Sequence, residues 1–183
     1  DRFETVLESH LAALSAPAGL PVLVCGMAGA RQGWVEAGYI DVPARLDTLA
    51  DGAVAVPGIR RSVRILPGLA QRGTAHPDVM RGEETQLAGA LDGQARQVLC
   101  LPGTHSKWVE AADGAVTGFA TYMTGELFAT LAGHSILSHS LGEERRVDPG
   151  SEVFAQWCGR ALAAPAALPS SLFAIRAAGL LDG

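Results

Sequence analysis

At 183 residues the chain has room for one domain or a little more, and for a sizeable core. With 48% hydrophobic and 18% charged residues it is too apolar to be disordered. A net charge of −5 excludes the broad basic face that nucleic acids require, and no basic run offers a tether to anionic lipid. No stretch reaches the roughly 18 apolar residues of a transmembrane helix, and the N-terminal DRFETVLESH is too polar for a signal peptide. Cys25, Cys100 and Cys158 lie far apart with no CxxC pair, so they are expected to be buried, reduced thiols of a cytoplasmic protein rather than a zinc or redox motif.

Phe3, Val6, Leu7, Leu11 and Leu14 recur at helical spacing, which predicts an amphipathic helix over 2–14 with one buried stripe. After a Pro/Gly break, Leu20 to Cys25 is short and wholly apolar, as a buried strand would be. Residues 26–39 read as a functional loop and 43–49 as a short helix. Ala53 to Val56 and Ser62 to Leu66 read as strands joined by a Pro-Gly turn. Pro77 to Leu91 has Pro near its start and Gly93 past its end, which predicts a helix. Gln97 to Leu101 is a further strand. Ser106 to Ala111 and Ala115 to Tyr122 flank Asp113-Gly114, a strong hairpin signal. Helices are expected over 124–132, with Thr124 as N-cap, and over 151–163 and 170–181; 141–149 reads as a charged surface crossing. The sum is α/β with mixed strand pairing, because the hairpin argues against a purely parallel sheet.

Four segments carry polar groups suited to chemistry. GMAGARQGWVEAGY (26–39) follows a predicted strand, where α/β proteins bind ligands. Arg31 is a bidentate partner for a carboxylate, Gln32 can donate and accept, Trp34 is a flat apolar wall, and Glu36 can accept from hydroxyls. A sugar acid needs this mixture; the plainer reading is a surface loop with an ordinary Arg–Glu pair. In PDVMRGEETQLAGAL (77–91), Glu83 and Glu84 would diverge by about 100° on a helix, so one faces a cleft while its neighbour is solvated. A carboxylate in a cleft can act as general base or help place Mg²⁺. The plainer reading is a solvated charged face.

In VLCLPGTHSKWV (98–109), a Gly-centred turn between strands can expose backbone N–H groups to phosphate oxygens. Gly103, Thr104, His105, Ser106 and Lys107 are the candidates, Lys107 only if its side chain faces the same way. It is not a Walker A loop, since GxxxxGK[ST] is absent. In TYMTGELFATLAGHSIL (121–137), Leu127, Phe128 and Leu131 read as core, while His134 and His139 are badly spaced for a metal and read as structural or solvated. A Ser/His/Asp hydrolase is disfavoured, because His105 and Ser106 are adjacent on a strand and no GxSxG elbow occurs.

Taken together, GMAGARQGWVEAGY, VRILPGLAQ, DVMRGEETQLAGAL, LPGTHSKWV and MTGELFATLAGHSIL resemble the 2-dehydro-3-deoxygalactonokinase family, in the family's order over roughly residues 22 to 137. The closing LFAIRAAGLL resembles it too. The resemblance implies a sugar-acid kinase of the actin-like ATPase (ribonuclease H-like) fold, with two α/β domains expected here as 1–76 and 77–183. It implies transfer of the ATP γ-phosphoryl group, with Mg²⁺, to the 6-hydroxyl of 2-dehydro-3-deoxy-D-galactonate in galactonate breakdown. Its ligands would be the sugar acid and ATP, with no nucleic acid or membrane, and a homodimer is compatible with it. In related carbohydrate kinases a Gly-x-Asp-Thr segment carries the base, and Gly82-Glu83-Glu84-Thr85 is similar; Glu84 would be the base, with Glu in place of Asp, and Glu83 stays open. Gly103, Thr104 and Ser106 would hold the transferred phosphate, and Arg31 the substrate carboxylate.

The family's opening Asp-x-Gly-Thr turn is not in this sequence, and the family continues past residue 183. The chain is therefore expected to be truncated at both ends and weak or inactive alone. Two readings compete with the kinase: a sugar-acid-binding module without catalysis, and a kinase for the epimer 2-dehydro-3-deoxygluconate, which differs by one hydroxyl orientation.

Overall fold

The structure is a computed structural model that describes residues 2–73, 75–93, 95–142 and 147–181. Two compact units emerge, Asp1–Tyr122 and Met123–Gly183.

The first unit is built on three small sheets. Helix α1 (Arg2–Ala13) leads into β1 (Val22–Val24), which pairs in parallel with β5 (Val63–Ile65); β4 (Val54–Ala55) joins β5 antiparallel across the Pro57-Gly58 turn. A second sheet sets β2 (Tyr39–Asp41) parallel to β6 (Gly68–Gln71), which pairs antiparallel with β7 (Asp78–Met80). The third is antiparallel throughout, in the order β3 (Ala44–Arg45), β10 (Ala115–Tyr122), β9 (Ser106–Ala112), β8 (Gln97–Leu101). Asp113 and Gly114 both take positive φ, 52° and 76°, as a tight two-residue hairpin requires. Mixed strand pairing thus agrees with the sequence reading.

Helix α2 (Glu83–Ala90) enters the core through Leu87. Leu87 is fully buried and joins Leu69, Met80, Val109, Val116 and Phe119 in the main core. A second cluster gathers Ala37, Val56, Val63 and Ile65 around the first sheet. Asp78 ties two sheets together, accepting from the Thr121 amide at 2.6 Å and the Thr121 hydroxyl at 2.8 Å.

Several expectations need correction. The α1 stripe is not buried: Phe3, Val6 and Leu14 are exposed, and only Leu7 and Leu11 are half-covered. Residues 43–49 are not a helix, because Ala44 and Leu46 are buried on either side of exposed Arg45, a period of two that suits the edge of β10. The expected helix 77–91 is really β7 followed by α2; Gly82 at φ 110° breaks the path between them. All three cysteines are exposed rather than buried. Cys100 sits at an outward position of β8 opposite exposed Trp108, and Cys25 lies just past the end of β1.

The second unit comprises α3 (Thr124–His134), α4 (Glu152–Ala163) and α5 (Leu168–Leu181), with short 3₁₀ turns at 136–140 and 165–167. Met123, not Thr124, caps α3, while Ser151 caps α4 by accepting from the Phe154 amide at 3.1 Å. Leu127 and Phe128 are exposed and Leu131 half-buried, so they are not core; only Ala132 of α3 is buried. A unit of roughly 60 residues encloses little interior. His134 and His139 are exposed, as expected. Residues 143–146 of the expected surface crossing lie outside the described residues. No single helix among the described residues is long and apolar enough to cross a membrane.

Leu87 locks α2 onto the sheet. Leu87→Ala should lower the unfolding free energy by about 2–5 kcal/mol, the usual cost of emptying a fully buried leucine site, measured by chemical denaturation. A loss below about 1 kcal/mol would mean that α2 is not held this way.

Candidate functional site

The turn from β7 into α2 sets the chemistry. The Arg81 amide donates to Glu83 Oε2 at 3.1 Å. The Gly82 amide donates to both oxygens of Glu84, at 2.8 and 2.6 Å. Two consecutive backbone N–H groups at a helix start thus each take one carboxylate, where partial positive charge favours them. Gly82 also lies so close to Gly26 that a Cβ on it would approach the Gly26 Cα at 3.3 Å. This backbone approach joins the second motif to the first.

The two glutamates have different surroundings. Glu84 is fully buried. Burial pushes its carboxyl above the usual range, opposed by its backbone hydrogen bonds, raised further by Glu83 and lowered by Arg81. Glu83 is about one-quarter exposed and meets Lys107 Nζ at 3.2 Å. The expectation that one carboxylate is solvated therefore fails: one is buried and the other is paired.

Glu83 lies on the wall of a hollow of about 350 Å³, together with Arg81, Gly82, Gln86 and the turn Leu101–His105. The carboxylate helix and the Gly-Thr turn thus face the same space. Thr104 and His105 stand on that wall. Gly103 does too, but its amide turns toward Ser106 Oγ at 3.3 Å, and Ser106 is buried behind the turn. Lys107 points inward from β9 with Val109 and Ala111, so its charge reaches Glu83 and not the rim of the turn.

The first motif is only partly brought in. Arg31 is 83% exposed, with Glu36 at 4.0 Å and 61% exposed, and neither lines the hollow. Gln32 is exposed as well. Trp34 is half-buried and stacked on Phe3, with centroids 5.8 Å apart and planes 7° apart. The arginine on the wall is Arg81, which the sequence reading missed, as it missed Gln86. Placing 77–91 in one helix hid Arg81 inside a regular element; the Arg-Gly pair before two glutamates was the available signal for a break.

The Glu84 carboxyl gives a pH test. Its folded value is raised above the ordinary 4.5. A raised acid leaves stability intact below its unfolded value and costs stability as pH climbs through the folded one. Glu84→Gln removes that titration. The difference in unfolding free energy between variant and parent should therefore shift in the variant's favour from about pH 4 to about pH 7. A difference that does not change with pH would show that burial does not strain this carboxylate.

The family model for 2-keto-3-deoxy-galactonokinase matches residues 1–183. A Rhizobium meliloti (strain 1021) protein named as a probable 2-dehydro-3-deoxygalactonokinase is 56% identical over 183 residues, which is 99% of this chain and 60% of that protein. The 2-dehydro-3-deoxygalactonokinase of Escherichia coli (strain K12) is 37% identical over 161 residues, 88% of this chain and 53% of its own length. A crystal structure of a Sinorhizobium meliloti protein of the same description superposes with a TM-score of 0.93 at 55% identity, covering 98% of this chain and 60% of that one. The chain thus spans little more than half the length of the curated relatives it matches. By sequence over its whole length, the chain belongs to the 2-keto-3-deoxy-galactonokinase family.

Proposed function

We propose that the protein carrying this chain is a kinase that transfers the γ-phosphoryl group of ATP to the 6-hydroxyl of 2-dehydro-3-deoxy-D-galactonate, a step of galactonate breakdown. The observation that carries this reading is the single hollow walled by Glu83 on one side and by the Gly103–His105 turn on the other. Phosphoryl transfer asks little covalent chemistry of a protein; it asks for positioning and for charge neutralisation. A carboxylate opposite a Gly-Thr turn supplies a proton acceptor for the attacking hydroxyl and donors for the moving phosphoryl oxygens. The names of the relatives supply the substrate. The reading includes the two-domain actin-like ATPase architecture.

Of the two candidate bases, Glu83 fits the role better. It borders the hollow, with Lys107 Nζ 3.2 Å from its carboxylate, whereas Glu84 has no exposed surface through which a hydroxyl can reach it. Glu84 then serves to hold the turn at Gly82. Loop 26–39 is the sugar-acid loop, with Arg31 the partner of the substrate carboxylate. Mg²⁺ would arrive on the nucleotide phosphates, its usual mode in kinases. Among the described residues no group of three or more His, Cys, Asp or Glu could hold a metal ion unaided.

An ADP-release assay on the whole protein, with Mg·ATP and the keto acid, tests the reading. The parent should turn over 2-dehydro-3-deoxygalactonate with a higher kcat/KM than its gluconate epimer. Glu83→Gln should lower kcat by about 10²–10⁴-fold, the usual share of general-base catalysis. A Glu83→Gln kcat within about threefold of the parent would move the base elsewhere, with Glu84→Gln the next comparison. Arg31→Ala should raise KM for the keto acid by about tenfold with kcat little changed, the worth of one charged hydrogen bond. An unchanged KM would remove Arg31 from the site.

A further inference from the structure

Arg81 occupies an unusual position for a charged residue. Its Nη2 donates to the Ala37 carbonyl at 2.7 Å and reaches the Gly38 carbonyl at 3.3 Å. Its guanidinium carbon lies 4.3 Å from the centre of the Tyr39 ring, a cation–π distance. Nε and Nη1 are buried without a hydrogen-bond partner. Nη1 packs under the first turn of the loop, where a Cβ at Gly29 would stand 2.8 Å from it and 2.9 Å from the Ile65 Cγ2. The same residue's backbone N–H holds Glu83. One residue therefore grips the loop with its side chain and the candidate base with its main chain.

The fixed geometry has a cost. A buried guanidinium with two unpaired nitrogens is unfavourable, and it persists only where the surrounding structure determines it closely. The loop it grips is a candidate for just such a restraint. Its inner hydrogen bonds are local: Ala30 donates to the Met27 carbonyl at 3.1 Å, Gly33 to the Ala30 carbonyl at 2.8 Å, Trp34 and Val35 to the Ala28 carbonyl at 2.7 and 3.3 Å, and Ala37 to the Gly29 carbonyl at 3.0 Å, while the Gly68 amide holds the Gly38 carbonyl at 3.1 Å. Its outer residues Arg31, Gln32 and Glu36 are exposed. Arg81 is the side chain that ties this end of the loop to the start of α2.

We propose that Arg81 is a positioning residue, which fastens the sugar-acid loop at Ala37 and Gly38 to the start of the carboxylate helix and so sets the gap between Arg31 and Glu83. This rests on the kinase reading for the meaning of the gap, but the clamp itself is a property of the fold. A lysine cannot replace it in full, since one ammonium cannot both span the two carbonyls and lie flat on Tyr39.

The test uses the whole protein with Arg81→Met, Arg81→Lys and, as control, Arg72→Met, which breaks only the exposed Arg72–Asp41 pair. Hydrogen exchange at the Trp34, Val35 and Ala37 amides should quicken by about tenfold or more in Arg81→Met, and by less in Arg81→Lys. The Leu69 and Val109 amides should not change in either, and the control should match the parent throughout. In the kinase assay Arg81→Met should raise KM for the keto acid by about tenfold, leaving KM for ATP near the parent's. Unchanged exchange at 34–37 in a folded Arg81→Met, or an Arg81→Lys that matches the parent in every readout, overturns the proposal. If Arg81→Met does not fold, Arg81→Lys decides by the same exchange measurement. A parent with no activity on the keto acid would defeat the kinase reading alone, and the exchange result would still decide the clamp.

Discussion

Lys107 enters the interior from the inward face of β9 and meets Glu83 at 3.2 Å, with only 6% of its side chain exposed. An ammonium taken out of water costs several kcal/mol, and only a well-placed counter-charge repays it. The pair therefore ties two pieces of chain together under penalty of a stranded charge. One piece is β9, which carries the Gly103–His105 turn at its leading edge; the other is α2, whose first turn carries both carboxylates. Everything that makes the hollow a candidate site follows from that registration. The turn faces Glu83 because the strand behind it is bonded to Glu83.

The backbone at Arg81 and Gly82 completes the arrangement. Two successive amides each take a carboxylate, so the two glutamates cannot exchange places without breaking a bond to the main chain. Gly82 is needed twice, once for its positive φ and once for its approach to Gly26. Burial then separates the glutamates chemically. Glu84 is pushed toward its neutral form by desolvation, while Glu83 has a cation beside it. Two adjacent residues of one type thus acquire different properties from position alone.

Much of this was legible in the sequence, and the illegible part has physical causes. The Asp113-Gly114 hairpin, strands β4, β5 and β8 and helices α3 to α5 follow from turn chemistry and apolar periodicity, and they appear where those rules put them. The segment 77–91 misled because its composition favours a helix throughout, whereas pairing of β7 with β6 outweighs that local preference over Asp78–Met80. Ala44 and Leu46 misled for the same reason, since a two-residue strand is defined by its neighbour β10 and not by its own propensity. The candidate carboxylates and the Gly-Thr turn could be named from spacing and resemblance. Which glutamate faces the hollow, and that Lys107 points inward, depend on packing between elements distant in sequence. Arg81 was invisible for a further reason: its role lies in carbonyl contacts to 37–38 and a ring contact to Tyr39, across more than 40 residues of sequence, with no carboxylate partner to read.

The most direct measure of the account is the coupling between Lys107 and Glu83. A double-mutant cycle with Lys107→Met, Glu83→Gln and the double variant isolates the pair from the separate effects of each change. If the ion pair registers strand β9 on helix α2, the coupling in unfolding free energy should be favourable by at least about 1 kcal/mol, so that the double variant costs less than the two single variants added together. A coupling indistinguishable from zero, with two single changes that simply add, would mean that the turn and the carboxylates share the hollow for some other reason.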